Sequence, residues 1–198
     1  MTKKILIIVG DFVEFAEVTA AYKALKSLGF EVDKVCPDKK QGDTFTTAIH
    51  EFDPKYQTYT EKLGNTFPIT ADIETLNPED YAGLWLPGGR APEYLRTKTR
   101  VLDIIRYFID TQKPIVALCH GVQLLAAMGM DVMKGKRVTC IDMMTPEMKN
   151  AGCEVQKTKN KHDVFVDGNI ITGGAPQCIP DALKNYYDLL GVKITLPQ

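Results

Sequence analysis

Long apolar runs are missing from this sequence: no window of its 198 residues approaches the ~20 apolar positions that a membrane span requires. A soluble chain is therefore expected, with no membrane partner. The start, Met1-Thr2-Lys3-Lys4, is basic, but the apolar stretch after it, Ile5 to Val9, closes at Gly10-Asp11. That is too short for the core of a secretion signal and reads as a first strand. An excess of charge is missing too, with 24 Lys and Arg against 25 Asp and Glu and no block of like sign. Nucleic acids and other polyanions are thus not expected partners. Near-neutrality weakens self-repulsion, and a homo-oligomer is expected. Cysteine is sparse: Cys36, Cys119, Cys140, Cys153 and Cys178 are odd in number and widely spaced. The chain is too large to need disulfide staples, so this usage suits a reducing cytosol and a cytoplasmic protein. The three histidines, His50, His120 and His162, show no ligand spacing and the cysteines form no paired zinc motif, so neither metal nor cofactor is expected. There is no internal repeat and no low-complexity linker, and the length predicts one domain over residues 1–198.

What is present is an alternation of buried-strand and amphipathic-helix patterns. Lys4 to Val9 is a continuous aliphatic run; Val18, Ala21, Tyr22, Leu25 and Leu28 recur at helical spacing before a stop at Gly29; Glu31 to Cys36 follows as a second strand. From about 38 to 77 the chain turns polar and reads as an insertion, with short strands expected around Ala48 to Phe52 and Gln57 to Glu61. The sheet resumes at Tyr81 to Leu86, a helix follows on Val101, Ile104, Ile105 and Phe108, and Pro114 to Leu118 is the next strand. A helix over Val122 to Met128, a strand over Arg137 to Ile141, a short helix near Pro146 to Asn150, strands at Val164 to Val166 and Ile170 to Thr172, and a helix over Ile179 to Leu190 complete the prediction. The class is α/β with a mainly parallel sheet covered on both faces, and its sites belong at the carboxyl ends of strands.

One junction carries the chemistry. Cys119 ends a buried strand and opens a helix, where a tight elbow and unpaired backbone N–H groups favour an anion. A thiol there is expected to have a lowered pKa and a larger thiolate fraction. Taken alone, a cysteine is better read as a small buried apolar residue. Two neighbours shift the balance. His120 is adjacent and suits a base or proton shuttle; Pro87-Gly88-Gly89-Arg90 follows a strand and suits backbone approach to a reacting carbonyl, or merely a turn. Glu14 and Glu17 open the first helix three residues apart, toward the strand ends. A buried, neutral Glu17 would donate a hydrogen bond to the sulfur, while the blander reading makes both acids complements of the helix N-terminus.

Together Glu14-x-x-Glu17, Leu86-Pro-Gly-Gly-Arg-Ala-Pro-Glu-Tyr-Leu95 and Ala117-Leu-Cys-His-Gly121 resemble the ThiJ/PfpI superfamily, also called DJ-one, in order and spacing. Val35-Cys-Pro, Thr47-Ala-Ile-His-Glu-Phe52 and Gln57-Thr-Tyr-Thr-Glu61 are similar to its longer members related to plant glyoxalase III, in which such domains occur in tandem. The resemblance implies a flavodoxin-like three-layer sandwich like that of class I glutamine amidotransferases, oligomers, and a nucleophilic cysteine hydrogen-bonded to a buried glutamate. By motif, Cys119 is the nucleophile, Glu17 the glutamate and His120 the following histidine. Gly89 and the His120 N–H are then the oxyanion hole, with Arg90 and Glu14 beside the substrate. Glu93 matches the acid that reaches across a subunit interface to orient the histidine in protease-like members. His50 lines the pocket by resemblance, although a surface histidine in an insertion is the blander reading. Val122-Gln123 and Cys140 to Thr145 depart from the family pattern.

Three functions follow from the resemblance. A glutathione-independent glyoxalase or related deglycase would act on a small aldehyde such as methylglyoxal. A PfpI-like cysteine peptidase needs a cleft that admits a peptide, whereas an insertion covering the pocket favours an aldehyde. A redox-sensing or chaperone-like stress protein would instead carry Cys119 as an oxidisable thiol. A glutamine amidotransferase fits less well, because Gly173-Gly174-Ala175-Pro176 stands where a His-x-Glu pair is required. Cys36, Cys140, Cys153 and Cys178 read as structural.

Overall fold

The computed structural model describes residues 3–160 and 162–195. Lys4–Ile8 forms β1, fully buried after its first residue. The short strand β2 (Val13–Glu14) leads straight into helix α1 (Phe15–Ser27), whose buried stripe is Glu17, Val18, Ala21 and Leu25. Gly29 stops that helix with φ +85°, and Phe30 donates back to the Leu25 carbonyl at 3.2 Å. Leu28, expected on the apolar stripe, is exposed. Strand β3 (Glu31–Val35) then pairs in parallel with β1.

The insertion is more ordered than its composition suggests. It forms a hairpin of β4 (Thr44–Glu51) and β5 (Thr60–Pro68), with β2 pairing in parallel along β4. The strands expected around Ala48 to Phe52 and Gln57 to Glu61 are thus displaced: the first begins four residues earlier, and the second mostly follows its expected position. The reason is that β5 is exposed along nearly its whole length, so no apolar alternation marks it.

Beyond the insertion come β6 (Tyr81–Leu86), the short helix α2 (Ala91–Leu95) and helix α3 (Thr99–Asp110), which buries Val101, Ile104, Ile105 and Phe108 as the spacing predicts. Strand β7 (Ile115–Leu118) is buried throughout. Helix α4 (Val122–Ala126) ends two residues early, before Gly129 at φ +79° and α5 (Met130–Met133). The strand expected over Arg137 to Ile141 contracts to β8 (Arg137–Val138). It pairs with β9 (Glu154–Val155) across helix α6 (Thr145–Asn150) in a separate two-stranded sheet, because the next residues turn away into a helical turn at Asp142. Strands β10 (Val164–Asp167) and β11 (Ile170–Gly173) and helix α7 (Ile179–Leu189) close the chain.

The main sheet runs β10-β11-β7-β6-β1-β3, parallel except for β10 at one edge. Read from β3, its parallel strands lie in the order second, first, third, fourth, fifth, which is the flavodoxin arrangement. Helix α1 packs on α7, and α3 packs on α4, with the sheet between them. Strand order reverses between β1 and β6. A crevice opens at such a switch point, outside the carboxyl ends of the strands, and the ends of β1, β6 and β7 bring Gly10, Gly88-Gly89 and Cys119 there.

Candidate active site

Cys119 stands one residue beyond β7 with φ +52°, a left-handed conformation that costs a non-glycine residue ~1–3 kcal/mol. The turn survives because its neighbours are glycines at contact. A Cβ on Gly88 would lie 2.7 Å from the Cys119 Cβ and 2.8 Å from the His120 nitrogen, and one on Gly121 would collide with the Leu86 carbonyl. Gly89, at φ +79°, lets the 87–90 turn bridge to Val13. The backbones of Gly89 and His120 border the sulfur and favour its charged form.

The lowered thiol pKa expected from the helix start is not what the structure contains. Burial pushes the Cys119 thiol well above its usual range, the charge of Glu17 adds to that, and the His120 and Gly89 backbones only partly oppose it. Helix α4 is short, and Cys119 is just 6% exposed, so loss of solvation outweighs the local dipole. Glu17 is wholly buried, and its pKa rises to about 8 through desolvation, against a hydrogen bond from the Gly88 N–H and with the repulsion of Glu14. That bond runs 2.6 Å to Oε2. Oε1 is buried without a partner, so the expected hydrogen bond from Glu17 to the sulfur is not formed, and the two groups interact through charge. A protonated Glu17 removes the second cause of the raised thiol pKa. Thiol and carboxyl are therefore linked through the proton that each favours keeping.

Glu14 takes the blander of its two readings. It is the N-cap of α1, with Oε1 accepting from the Ala16 N–H at 3.2 Å, and Oε2 lies 2.6 Å from His50 Nδ1. Both oxygens are thus engaged by the protein, one at the helix start and one at the hairpin. His50 is not a surface histidine, as its place in a polar insertion suggested. Its side chain is 4% exposed, clamped between Glu14 and Glu61, whose Oε2 is 3.1 Å from Nε2. The cause is register: His50 and Glu61 are direct cross-strand partners in the β4–β5 hairpin.

This hairpin also carries two residues that sequence reasoning did not single out, Tyr59 and Glu61. Tyr59 Oη lies 3.3 Å from His120 Nδ1, and its ring packs against His120, His50 and Phe52 with centroids 5.6, 5.1 and 5.3 Å away. The motif Gln57-Thr-Tyr-Thr-Glu61 was the only signal available. His120 is 5% exposed, and burial holds its pKa below the ordinary value. Its Nε2 is buried with no partner.

Arg90 and Glu93 lie at the rim. The Arg90 N–H donates to the Phe12 carbonyl at 2.9 Å, so it is not an oxyanion donor, and the half-exposed guanidinium pairs with Glu93 at 3.1 Å. Glu93 touches His120 only through its charge. A cavity of about 560 Å³ opens between Phe52 and Gln57 of the hairpin and the segments at Cys140–Met143 and Gly174–Gln177, so half-buried Cys140 lines a pocket. Cys36, Cys153 and Cys178 are buried. Among the described residues no group of three His, Cys, Asp or Glu is placed to hold a metal ion.

A sequence profile of the DJ-1/PfpI family matches residues 3–188. Protein DJ-1 homolog D of Arabidopsis thaliana is 39% identical over 193 residues, which is 98% of this chain and 49% of the plant protein. Protein/nucleic acid deglycase 2 of Escherichia coli (strain K12) is 30% identical over 96% of this chain and 99% of its own length. The chain thus spans about half the length of the plant relative. Among solved structures, a two-domain protein from Anabaena variabilis with DJ-1/ThiJ/PfpI-like and ferritin-like domains superposes with a TM-score of 0.81 at 22% identity, over 100% of this chain and 50% of that one.

Proposed function

The chain belongs to the DJ-1/PfpI family, and from that premise we propose that it is a cofactor-free, cysteine-dependent enzyme that converts a small α-oxoaldehyde to its hydroxy acid without glutathione. Removal of the same aldehyde from amines is a related activity, and the E. coli relative named as a deglycase supports it. The observation that carries the reading is a buried Cys119 flanked by two backbones that favour its charged form and by a carboxyl group held protonated to about pH 8.

With methylglyoxal, the Cys119 thiolate adds to the aldehyde carbon and its oxygen takes up the proton released from sulfur. Glu17 or His120 then moves the hydrogen of that carbon, as a proton, to the neighbouring ketone carbon, leaving a lactyl thioester. Water cleaves the thioester to lactate and frees the thiol. The aldehyde carbon is oxidised and the ketone carbon reduced, so the only co-reactant is water. The cover over the site supports a small substrate over a peptide: Cys119 is buried and Tyr59 of the hairpin lies against His120.

The test is D-lactate formation from methylglyoxal without glutathione, with casein digestion run beside it. Turnover by the wild type that falls at least ~100-fold in Cys119→Ala and in Glu17→Gln is expected. A wild type with Cys119 confirmed reduced and no turnover overturns the reading, and casein cleavage by that protein would install the peptidase in its place.

A further inference from the structure

The structure gives His120 an asymmetric environment. Nδ1 faces the Tyr59 hydroxyl at 3.3 Å, while Nε2 is buried and unpartnered. Tyr59 is itself positioned on three sides by His50, Phe52 and His120. His50 cannot drift, because a carboxylate holds each of its ring nitrogens. Glu14, one of those carboxylates, caps the helix that carries Glu17, so the hairpin is tied to the same element that supplies the acid.

We propose that Tyr59 is a positioning residue that donates its hydroxyl proton to His120 Nδ1, fixing the tautomer with hydrogen on Nε2 and making His120 a hydrogen-bond donor to the substrate oxygen rather than a base. The substrate part rests on the function proposed above; the tautomer does not. A phenol is a better donor than acceptor, because its oxygen lone pair is shared with the ring, whereas the bare nitrogen of a neutral imidazole is a strong acceptor. Burial keeps the Tyr59 hydroxyl protonated, and burial keeps His120 neutral against the opposing pull of the Gly89 backbone, which makes no hydrogen bond to Nε2. In a neutral imidazole the bond made by one nitrogen sets the role of the other. A buried N–H without a partner is costly, and beside a thiol that adds to carbonyls the missing partner is a carbonyl oxygen. With Nδ1 occupied and Nε2 protonated, His120 retains no free lone pair, and the carbon-to-carbon proton transfer is left to Glu17.

The test is the ¹⁵N spectrum of His120 in the resting, reduced protein near neutral pH, assigned by comparison with His120→Gln. An unprotonated Nδ1 and a protonated Nε2 in the wild type, with a mixture of tautomers in Tyr59→Phe, are the expected result. Hydrogen on Nδ1 in the wild type overturns the proposal, as does an unchanged His120 spectrum in Tyr59→Phe. Neither outcome depends on turnover, so failure here is separate from failure of the aldehyde chemistry. If lactate is formed, Tyr59→Phe should lower kcat roughly tenfold with KM within about twofold, the pattern of a bond that strengthens at the transition state; a rise in KM alone would instead mark Tyr59 as a wall of the pocket.

Discussion

Glu17 holds a proton that an unfolded glutamate has already lost. Between about pH 4.5 and pH 8 the folded protein binds that proton and the unfolded chain does not, so this residue makes stability fall as pH rises through the window. Glu17→Gln removes the slope. Urea unfolding of the two proteins should show the glutamine variant gaining on the wild type from acid to mildly basic pH, by on the order of a few kcal/mol in all; parallel curves would mean that Glu17 is ionised in the fold. The glycines at the elbow act by absence. Gly121→Ala places a methyl group against the Leu86 carbonyl, in backbone that cannot yield, and should cost roughly 3 kcal/mol or more in thermal or urea unfolding. Cys119 and Gly88-Gly89 were legible because each follows a short, mostly apolar strand, a pattern that marks strand ends without help from tertiary structure. The raised thiol pKa was not legible, since it depends on how completely the surrounding elements exclude water.

The β4–β5 hairpin decides how the site is closed. Cross-strand register sets His50 opposite Glu61, and register is specified weakly where both faces are polar, as along β5. That is why the sequence pattern presents His50 as a surface residue and gives Tyr59 and Glu61 no mark of the contacts they make. Helix α3 shows the opposite case, its buried face readable from period alone. His50→Ala leaves the buried Glu14 Oε2 without its hydrogen-bond partner. Roughly 1–3 kcal/mol of stability should be lost, and proteolysis in the 52–59 loop should quicken. If limited digestion cuts wild type and variant there at equal rates, the clamp does not hold the hairpin down.

On the scale of the whole molecule, the parallel core and its switch point follow from the alternation of buried strands and amphipathic helices, and the crevice position follows from strand order. Assembly does not follow in the same way, because Glu93 and Arg90 satisfy each other at the rim. We propose that the chain associates through this rim. Exposed Phe12 and Tyr94 lie in a pocket with both charged residues and supply the apolar part of the surface. Sedimentation should show a dimer or larger species, and Glu93→Ala should lower kcat; a monomer with full activity would set aside the cross-subunit role. Trp85 carries a consequence of another kind. It is the single tryptophan, wholly buried, with its indole N–H on the Glu17 carbonyl at 3.1 Å and its ring at the edge of Tyr186. All indole emission from this protein therefore originates one hydrogen bond away from the reacting acid, and an unlabelled sample already carries a fluorescent reporter of aldehyde arrival, thiol oxidation and melting of the helix start.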